Sequence, residues 1–451
     1  MTLRDALVSA YNTNPDLAAE RANLRATDEN VPIARSSGLP GVSSTGGVTQ
    51  GLYDTNRGLT PTRRGSIGLD LSVPVYAGGS VRNSVRGAET RVEAGRAALR
   101  AAESELFVQT VTVYVDVIRD EAIVRLNQQN VKVLEVNLQA TRDRFEVGDL
   151  TRTDVAQSEA RLALAQSQLR AAEARLIGSR ENFIRVIGVA PGILAAPPPL
   201  PGLPASTQIA VETALANNPN LLAAQKQEVA SGFDVNVARA GRLPRVSVGV
   251  GGDYYNYLGS VGSQAALAGF DKDGFSTTVG VNLSLPLFQG GRPAAQVRQA
   301  TARRSAAMEN VTFAERAVVA QARSQFAIYQ SSLRVIESSR VAVEANRLSL
   351  EGVRAENGVG TRTILDILNA EQEFLNSQVQ YVTAERDAYV AGFTLLAVMG
   401  KAEAEDLGLD GGPLYNPVDH YDRSKSSWSD WNDGDDASTT GTRTNETPYQ
   451  T

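Results

Sequence analysis

Residues 144–155 read RFEVGDLTRTDV, and residues 354–365 read RAENGVGTRTIL. The second stretch repeats the first after slightly more than two hundred residues, and the repetition extends in both directions. Upstream, Asn14-Pro15 is matched by Asn218-Pro219, and Leu39-Pro40 by Leu243-Pro244. PVYAGGS at 74–80 is matched by PLFQGGR at 286–292. Downstream, Ile187-Gly188 is matched by Met399-Gly400. Five ordered matches with little drift in spacing make the chain two copies of one unit.

Each copy follows one plan. A helical stretch opens it, over 15–37 and 219–240. Two extended segments follow, at about 40–53 with 64–75, then at about 244–257 with 275–287. A very long helix comes next, at about 80–147 and 291–357. A tight turn leads to a return helix, at about 153–187 and 363–399. The expected organisation is therefore a first repeat over 1–188 and a second over 207–400. The intervening VAPGILAAPPPLPGLPAS, 189–206, is too rich in proline for helix or central strand and reads as an extended surface linker. An equatorial segment over 401–423 follows the second repeat. The polar, acidic tail over 424–451 has too few aliphatic side chains for a core and reads as disordered.

The side-chain patterns say what these elements are for. A helix over 80–147 would be about 100 Å long, and such a helix needs lateral partners. Val117, Val124, Val131, Leu138 and Phe145 repeat every seven residues; so do Ala322, Tyr329, Ile336, Val343 and Leu350. The first helix and the return helix together nearly match the long helix in length, so two short helices can stack end to end beside it. In the strands, Ile67, Leu69, Leu71 and Val73 alternate with Ser66, Gly68, Asp70 and Ser72. Val279, Val281, Leu283 and Leu285 alternate with Gly280, Asn282 and Ser284. That alternation suits a lipid-facing barrel wall around a wet lumen, and equally an ordinary half-buried sheet. Four strands cannot close a barrel, so a membrane-crossing sheet requires several chains. Pro74 and Pro286 are expected to end the descending strands. Gly78-Gly79 and Gly290-Gly291 then turn the chain into the long helices. The helices reverse at Gly148, Asp149, Leu150 and Thr151, and at Gly358, Val359, Gly360 and Thr361.

Composition removes several function classes. The 451 residues hold no Cys and a single His, His420. Thiol nucleophiles, disulfides and ordinary zinc or iron sites have no ligands here, and no cofactor is implied. A net charge of -6 argues against nucleic acid as partner. No run of apolar residues is long enough for a transmembrane helix. Met1 to Ala10 lacks the apolar core of a signal peptide; a leader already removed would leave the same sequence. An enzyme is not expected.

The duplicated order of motifs resembles the TolC family of outer-membrane exit ducts, over residues 1 to about 422. It is carried by Asn-Pro before each first helix, Leu-Pro before each strand, the P-[VL]-[YF]-x-G-G turns, and VGTRT followed by ILDILNAEQEF at 359–374. LYNPVDHYDR at 414–423 resembles the belt segment of ducts that serve type I protein secretion. The resemblance implies a mixed α and β membrane protein. Three chains, with four strands each, would form a twelve-stranded outer-membrane β-barrel continuous with a long periplasmic coiled-coil barrel. It implies a homotrimer in outer-membrane lipid, a periplasmic adaptor, and an inner-membrane ABC exporter or proton-driven pump. Protein cargo of type I secretion is the expectation. Small-molecule efflux is the alternative, and a soluble periplasmic coiled-coil scaffold or adaptor a more distant one. The resemblance places Asp366 in a pore constriction, with Asn369 where relatives carry a second acidic ring. Arg362 falls on a closed-state latch, with Asp154 as its expected partner and Asn357 where relatives carry a tyrosine. The two tip turns are implied to meet the adaptor.

Overall fold

The computed structural model describes residues 1–52, 60–408, 414–434 and 438–439. Helices α1 (Leu3–Thr13), α2 (Pro15–Asp28) and α3 (Asn30–Ser36) precede strands β1 (Gly41–Gln50) and β2 (Arg63–Ala77). The long α4 (Ser80–Glu146) and the return helix α5 (Arg152–Ile187) complete the first copy. The second copy runs α6 (Thr207–Asn217), α7 (Pro219–Ala240), β3 (Arg245–Asn256), the short α8 (Ser263–Leu267), β4 (Asp273–Ser284), α9 (Arg292–Gly358) and α10 (Ile364–Val398). A short α11 (Asp419–Ser424) follows. No helix is long and apolar enough to cross a membrane, among the described residues. Most of the tail expected to be disordered lies outside the described residues.

The Asn-Pro pairs show why they occur twice. Asn14 caps α2, its Oδ1 accepting from the amides of Asp16 (2.9 Å) and Leu17 (3.3 Å). Pro15 occupies the first helical position, where a missing N–H costs nothing. The Asn14 Nδ2 donates to the carbonyl of Val186, in the last turn of α5 (3.0 Å). Asn218 does the same in the second copy. Its Oδ1 accepts from Asn220 and Leu221 (3.0 and 3.2 Å), and its Nδ2 donates to Val398 in α10 (2.9 Å). Each asparagine thus starts one helix and ties it to the end of another. α1 and α6 precede the two stretches; α7 runs unbroken over Pro219–Ala240, whereas Glu29 divides the stretch expected as one helix over 15–37 into α2 and α3.

The four strands form one antiparallel sheet in the order β1-β2-β3-β4. Cross-strand partners share a face, and the register sorts the side chains. Val42, Leu71, Val250 and Val279 lie in one row; Ile67, Tyr254 and Phe275 lie in another nearer the hairpin tips. Most of this apolar face is open, with Phe275, Val279 and Val281 more than 70% exposed. The opposite face carries Ser43, Asp70, Thr278, Thr45, Asp253 and Ser276. Gly68 and Gly251 leave room there for the facing carboxylates. A Cβ at either would sit 2.9 or 3.0 Å from Asp253 or Asp70.

Pro74 does not end its strand, contrary to expectation. β2 continues to Ala77 through a register shift between Pro74 and Tyr76. A bulge tolerates the missing amide donor. Pro286 does lie past the end of β4, at Ser284. All four junction glycines have positive φ: Gly78 (64°), Gly79 (79°), Gly290 (58°) and Gly291 (82°).

α4 and α9 each have 67 residues, about 100 Å of helix. α2 and α5 both lie along α4; α7 and α10 both lie along α9. α4 also packs on α7 and α10, which joins the two copies side by side. In the first copy the seven-residue seam is buried at Val117, Val124, Val131 and Leu138, while Phe145 at the tip is exposed. In the second only Ala322 and Leu350 of the seam are buried. The largest apolar cluster lies at mid-height, where Phe107, Tyr114, Phe183, Ile187 and Phe393 meet α1. The linker runs past it: the Tyr114 hydroxyl donates to Ala195 (2.8 Å) and the Tyr389 hydroxyl to Pro198 (2.9 Å).

Removing the asparagine tie has a separable cost. Asn218→Ala loses the cap and leaves the Val398 carbonyl without its donor, and is expected to cost about 2–3 kcal/mol. Asn218→Ser keeps a capping oxygen and loses the donor to Val398, and should cost about half as much. Thermal unfolding in detergent, followed by circular dichroism, reads both.

Candidate functional site

The end of the molecule away from the sheet is built from two chain reversals. α4 stops at Glu146 and α9 at Gly358. Gly148 (φ 85°) and Gly360 (φ 83°) then turn the chain with the left-handed conformation that favours glycine. The return helices open with the same device. Thr151 Oγ1 accepts from the Asp154 amide (3.3 Å), and Asp154 Oδ2 accepts from the Thr151 amide (2.8 Å). Thr363 and Asp366 repeat this pairing at 3.3 and 2.9 Å. Each is a capping box, which satisfies amides at a helix start reciprocally.

This geometry corrects the register of the repeat. The shared Thr-Arg-Thr letters align Thr151 with Thr361, two residues out of step. In space Thr151 corresponds to Thr363, Asp154 to Asp366 and Gly148 to Gly360. The same register makes Arg142 the counterpart of Arg354. Arg142 pairs with Glu159 across α4 and α5 (2.7 Å), and Arg354 pairs with Glu371 across α9 and α10. The turns themselves carry opposite charge orders. Arg144 holds Asp149 (2.7 Å) in the first, whereas Glu356 holds Arg362 (2.7 Å) in the second. The signal for the correct register is T-x-x-D, which occurs once in each turn, at 151–154 and 363–366.

The expected site residues are distributed as follows. Asp366 sits in the first turn of α10, and its pKa is lowered by the Thr363 backbone and hydroxyl hydrogen bonds. Asp154 is lowered in the same way, first by the Thr151 hydroxyl and then by its amide. Both are carboxylates at neutral pH. Within the chain Arg362 is paired with Glu356, and Asp154 with Thr151, so the two are not joined to each other. Asn357 Nδ2 donates to the Arg362 carbonyl (2.8 Å), fixing the turn. Asn369, one turn along α10 from Asp366, accepts from Arg161 Nη2 of α5 (2.5 Å). Beside it Leu368 is buried against Val131, Leu134 and Ala165, so α10 packs into the α4–α5 pair. Sequence reasoning did not single out Arg161, Arg142, Glu159, Arg354 or Glu371. Val147 and Val359 project at 80% and 77% exposure beside the turn residues Gly148, Asp149, Leu150 and Thr151, and Gly358, Gly360 and Thr361. No group of three potential metal ligands occurs among the described residues.

Residues 6–189 and 210–401 match the family model described as outer membrane efflux protein. The chain is 33% identical over 432 residues to outer membrane efflux protein BepC of Brucella suis, covering 95% of this chain and 91% of that one. It is 28% identical over 318 residues to alkaline protease secretion protein AprF of Pseudomonas aeruginosa, covering 69% and 64%. Among solved structures it is similar to the Campylobacter jejuni CmeC outer membrane channel, with a TM-score of 0.79 over 94% of this chain and 89% of that one, at 15% identity.

The caps make a pH prediction. Asp154 and Asp366 have lowered folded-state pKa values. Their contribution is present above the unfolded value near 3.9 and is lost as pH falls through the lower folded value. Amide exchange of Asp366, whose N–H the Thr363 hydroxyl accepts, corrected for its intrinsic pH dependence, should therefore stay protected from pH 7 to pH 5. Thr363→Val removes the hydroxyl cap and should raise that exchange roughly fivefold at pH 7, and Thr363→Ser should not.

Proposed function

The chain belongs to the outer membrane efflux protein family, and we propose that three copies of it close into one continuous duct from the periplasm through the outer membrane. As a family member it is an outer-membrane protein with a large periplasmic helical region, a conduit that exports substrates and performs no covalent chemistry. The observation that carries the threefold reading is the sheet. It has four strands, one open apolar face, and two edges, β1 and β4, with no partner among the described residues. Lipid does not tolerate such edges. β4 runs antiparallel to β1, so β4 of one copy can pair with β1 of the next without changing the alternation. Three copies give twelve strands, with Ile67, Leu69, Val279 and Val281 toward lipid and Asp70 and Asp253 toward water.

Below the sheet the paired helices continue as the tunnel wall. In this reading their tip is the closed end. Three Asp366 carboxylates surround the narrow aperture and favour cations. Asn369 provides no second acidic ring. Arg362, Asp154 and Asn357 belong to the contacts that hold the closed tip. The exposed turns around Gly148 and Gly360 receive the periplasmic adaptor, and family members generically work with such adaptors and an inner-membrane transporter.

For cargo, we take protein handed over by an ABC exporter as the first reading. It is supported by the likeness to a protein named for alkaline protease secretion. It is supported also by residues 414–423, whose sequence resembles the belt segment of type I secretion ducts. There the chain runs from mid-height toward the sheet: the Tyr415 amide donates to the Tyr11 hydroxyl (3.0 Å), Tyr421 packs on Val31 and Val92, and Arg35 of α3 donates to the Lys425 carbonyl (2.8 Å). Small-molecule efflux is the second reading, favoured by the relative named as an efflux protein.

Two experiments test these readings. In planar bilayers the purified protein should conduct with a cation preference that Asp366→Asn lowers; the amide keeps the cap acceptor, so only charge changes. A protein that never conducts would overturn the duct. Deleting the gene should empty specific proteins from the culture medium without sensitising cells to dyes and detergents; the reverse pattern would favour efflux.

A further inference from the structure

Near the tip α10 meets the first repeat through an apolar contact and a polar one. Leu368 fills the apolar cluster of α4 and α5. One residue later Asn369 Oδ1 accepts from Arg161 Nη2 across the two repeats (2.5 Å). Four arginines of this region are engaged by carboxylates: Arg142 by Glu159, Arg144 by Asp149, Arg354 by Glu371 and Arg362 by Glu356; the exposed Arg152 at the start of α5 makes no ion pair among the described residues and no bond to α10. The Arg161 guanidinium donates to a neutral amide and makes no ion pair among the described residues. Its charge is therefore uncompensated. The corrected repeat register sharpens the contrast, because the counterpart of Arg161 in the second copy is Glu373.

We propose that Arg161, docked on Asn369, is a selectivity-setting residue of the tip: it presents a guanidinium one helical turn from Asp366 and opposes the acidic ring. This rests on the reading of the tip as the pore constriction. Three copies would then layer a basic collar beside the acidic ring, so the aperture is bipolar rather than purely cation-attracting. The same bond makes Arg161 a positioning residue for α10, because moving that helix away from α5 must break it. The neutral side chain at Asn369 matters to both effects. An aspartate there would neutralise the guanidinium, and would turn a charge–dipole contact into an ion pair that holds α10 more tightly.

Reversal potentials of the whole protein in planar bilayers, under a potassium chloride gradient, test this with five variants. Arg161→Gln should raise the cation-to-anion permeability ratio at least about sevenfold, because one unit charge across roughly 7 Å of water shifts a cation and an anion by about one RT each in opposite senses. Arg161→Lys keeps the charge and should leave the ratio near wild type. Asn369→Asp alone makes a carboxylate that Arg161 compensates; the double variant Arg161→Gln/Asn369→Asp leaves that carboxylate free. Because the fields of fixed charges add, the ratio should rise from wild type to either single variant and be highest in the double variant. An unchanged ratio in Arg161→Gln would overturn the proposal. Asp366→Asn separates the two levels of the argument. If it lowers the ratio while Arg161→Gln does nothing, the constriction stands and the role of Arg161 falls. If neither substitution changes the ratio, the constriction reading itself falls.

Discussion

An unpaired backbone amide or carbonyl in hydrocarbon costs several kcal/mol, and a strand edge exposes a row of them. That constraint governs this molecule. Its sheet has an apolar face suited to lipid and a small polar face suited to water, but each chain leaves the edges β1 and β4 open. On the proposed closure the edges satisfy one another between copies. The rest of the architecture then follows from carrying a closed ring downward. Each strand pair hands over to a long helix through a pair of positive-φ glycines, and each long helix is flanked by two shorter ones. A tube has no thick core. Its apolar packing is concentrated at mid-height, around Phe107, Tyr114 and Phe183, where the short helices, the linker and the C-terminal segment add a second layer.

The duplication made much of this legible before any coordinates. Strict alternation at 67–73 and 279–285 exposed the strands because a half-exposed sheet demands a two-residue period. The double glycines marked the entries to the long helices because few other residues adopt positive φ readily. The Asn-Pro pairs were visible as matches, yet their meaning was not. Their second bond, to Val186 and to Val398, spans more than 170 residues and depends on how the copies fold back.

Other features were hidden for identifiable reasons. The repeated Thr-Arg-Thr letters offered a match two residues out of register, and only cap geometry distinguishes a helix-starting threonine from its neighbours. Pro74 suggested a strand end, whereas a bulge absorbs it within β2. Nothing in the local sequence sets Arg161 apart from other charges on a solvated helix. Its bond to Asn369 joins residues 208 apart in sequence. The electrostatics of the tip therefore reside in pairings between elements that no local pattern announces. The same charge is neutralised in Arg142 and left uncompensated in Arg161.

The central claim is threefold closure, and the mass of the detergent-extracted particle tests it most directly. Light scattering with the detergent contribution subtracted should give three times the 48.0 kDa chain mass. A folded, conducting particle of one chain mass would contradict the account, because a single four-stranded sheet would then have to stand in lipid with both edges open.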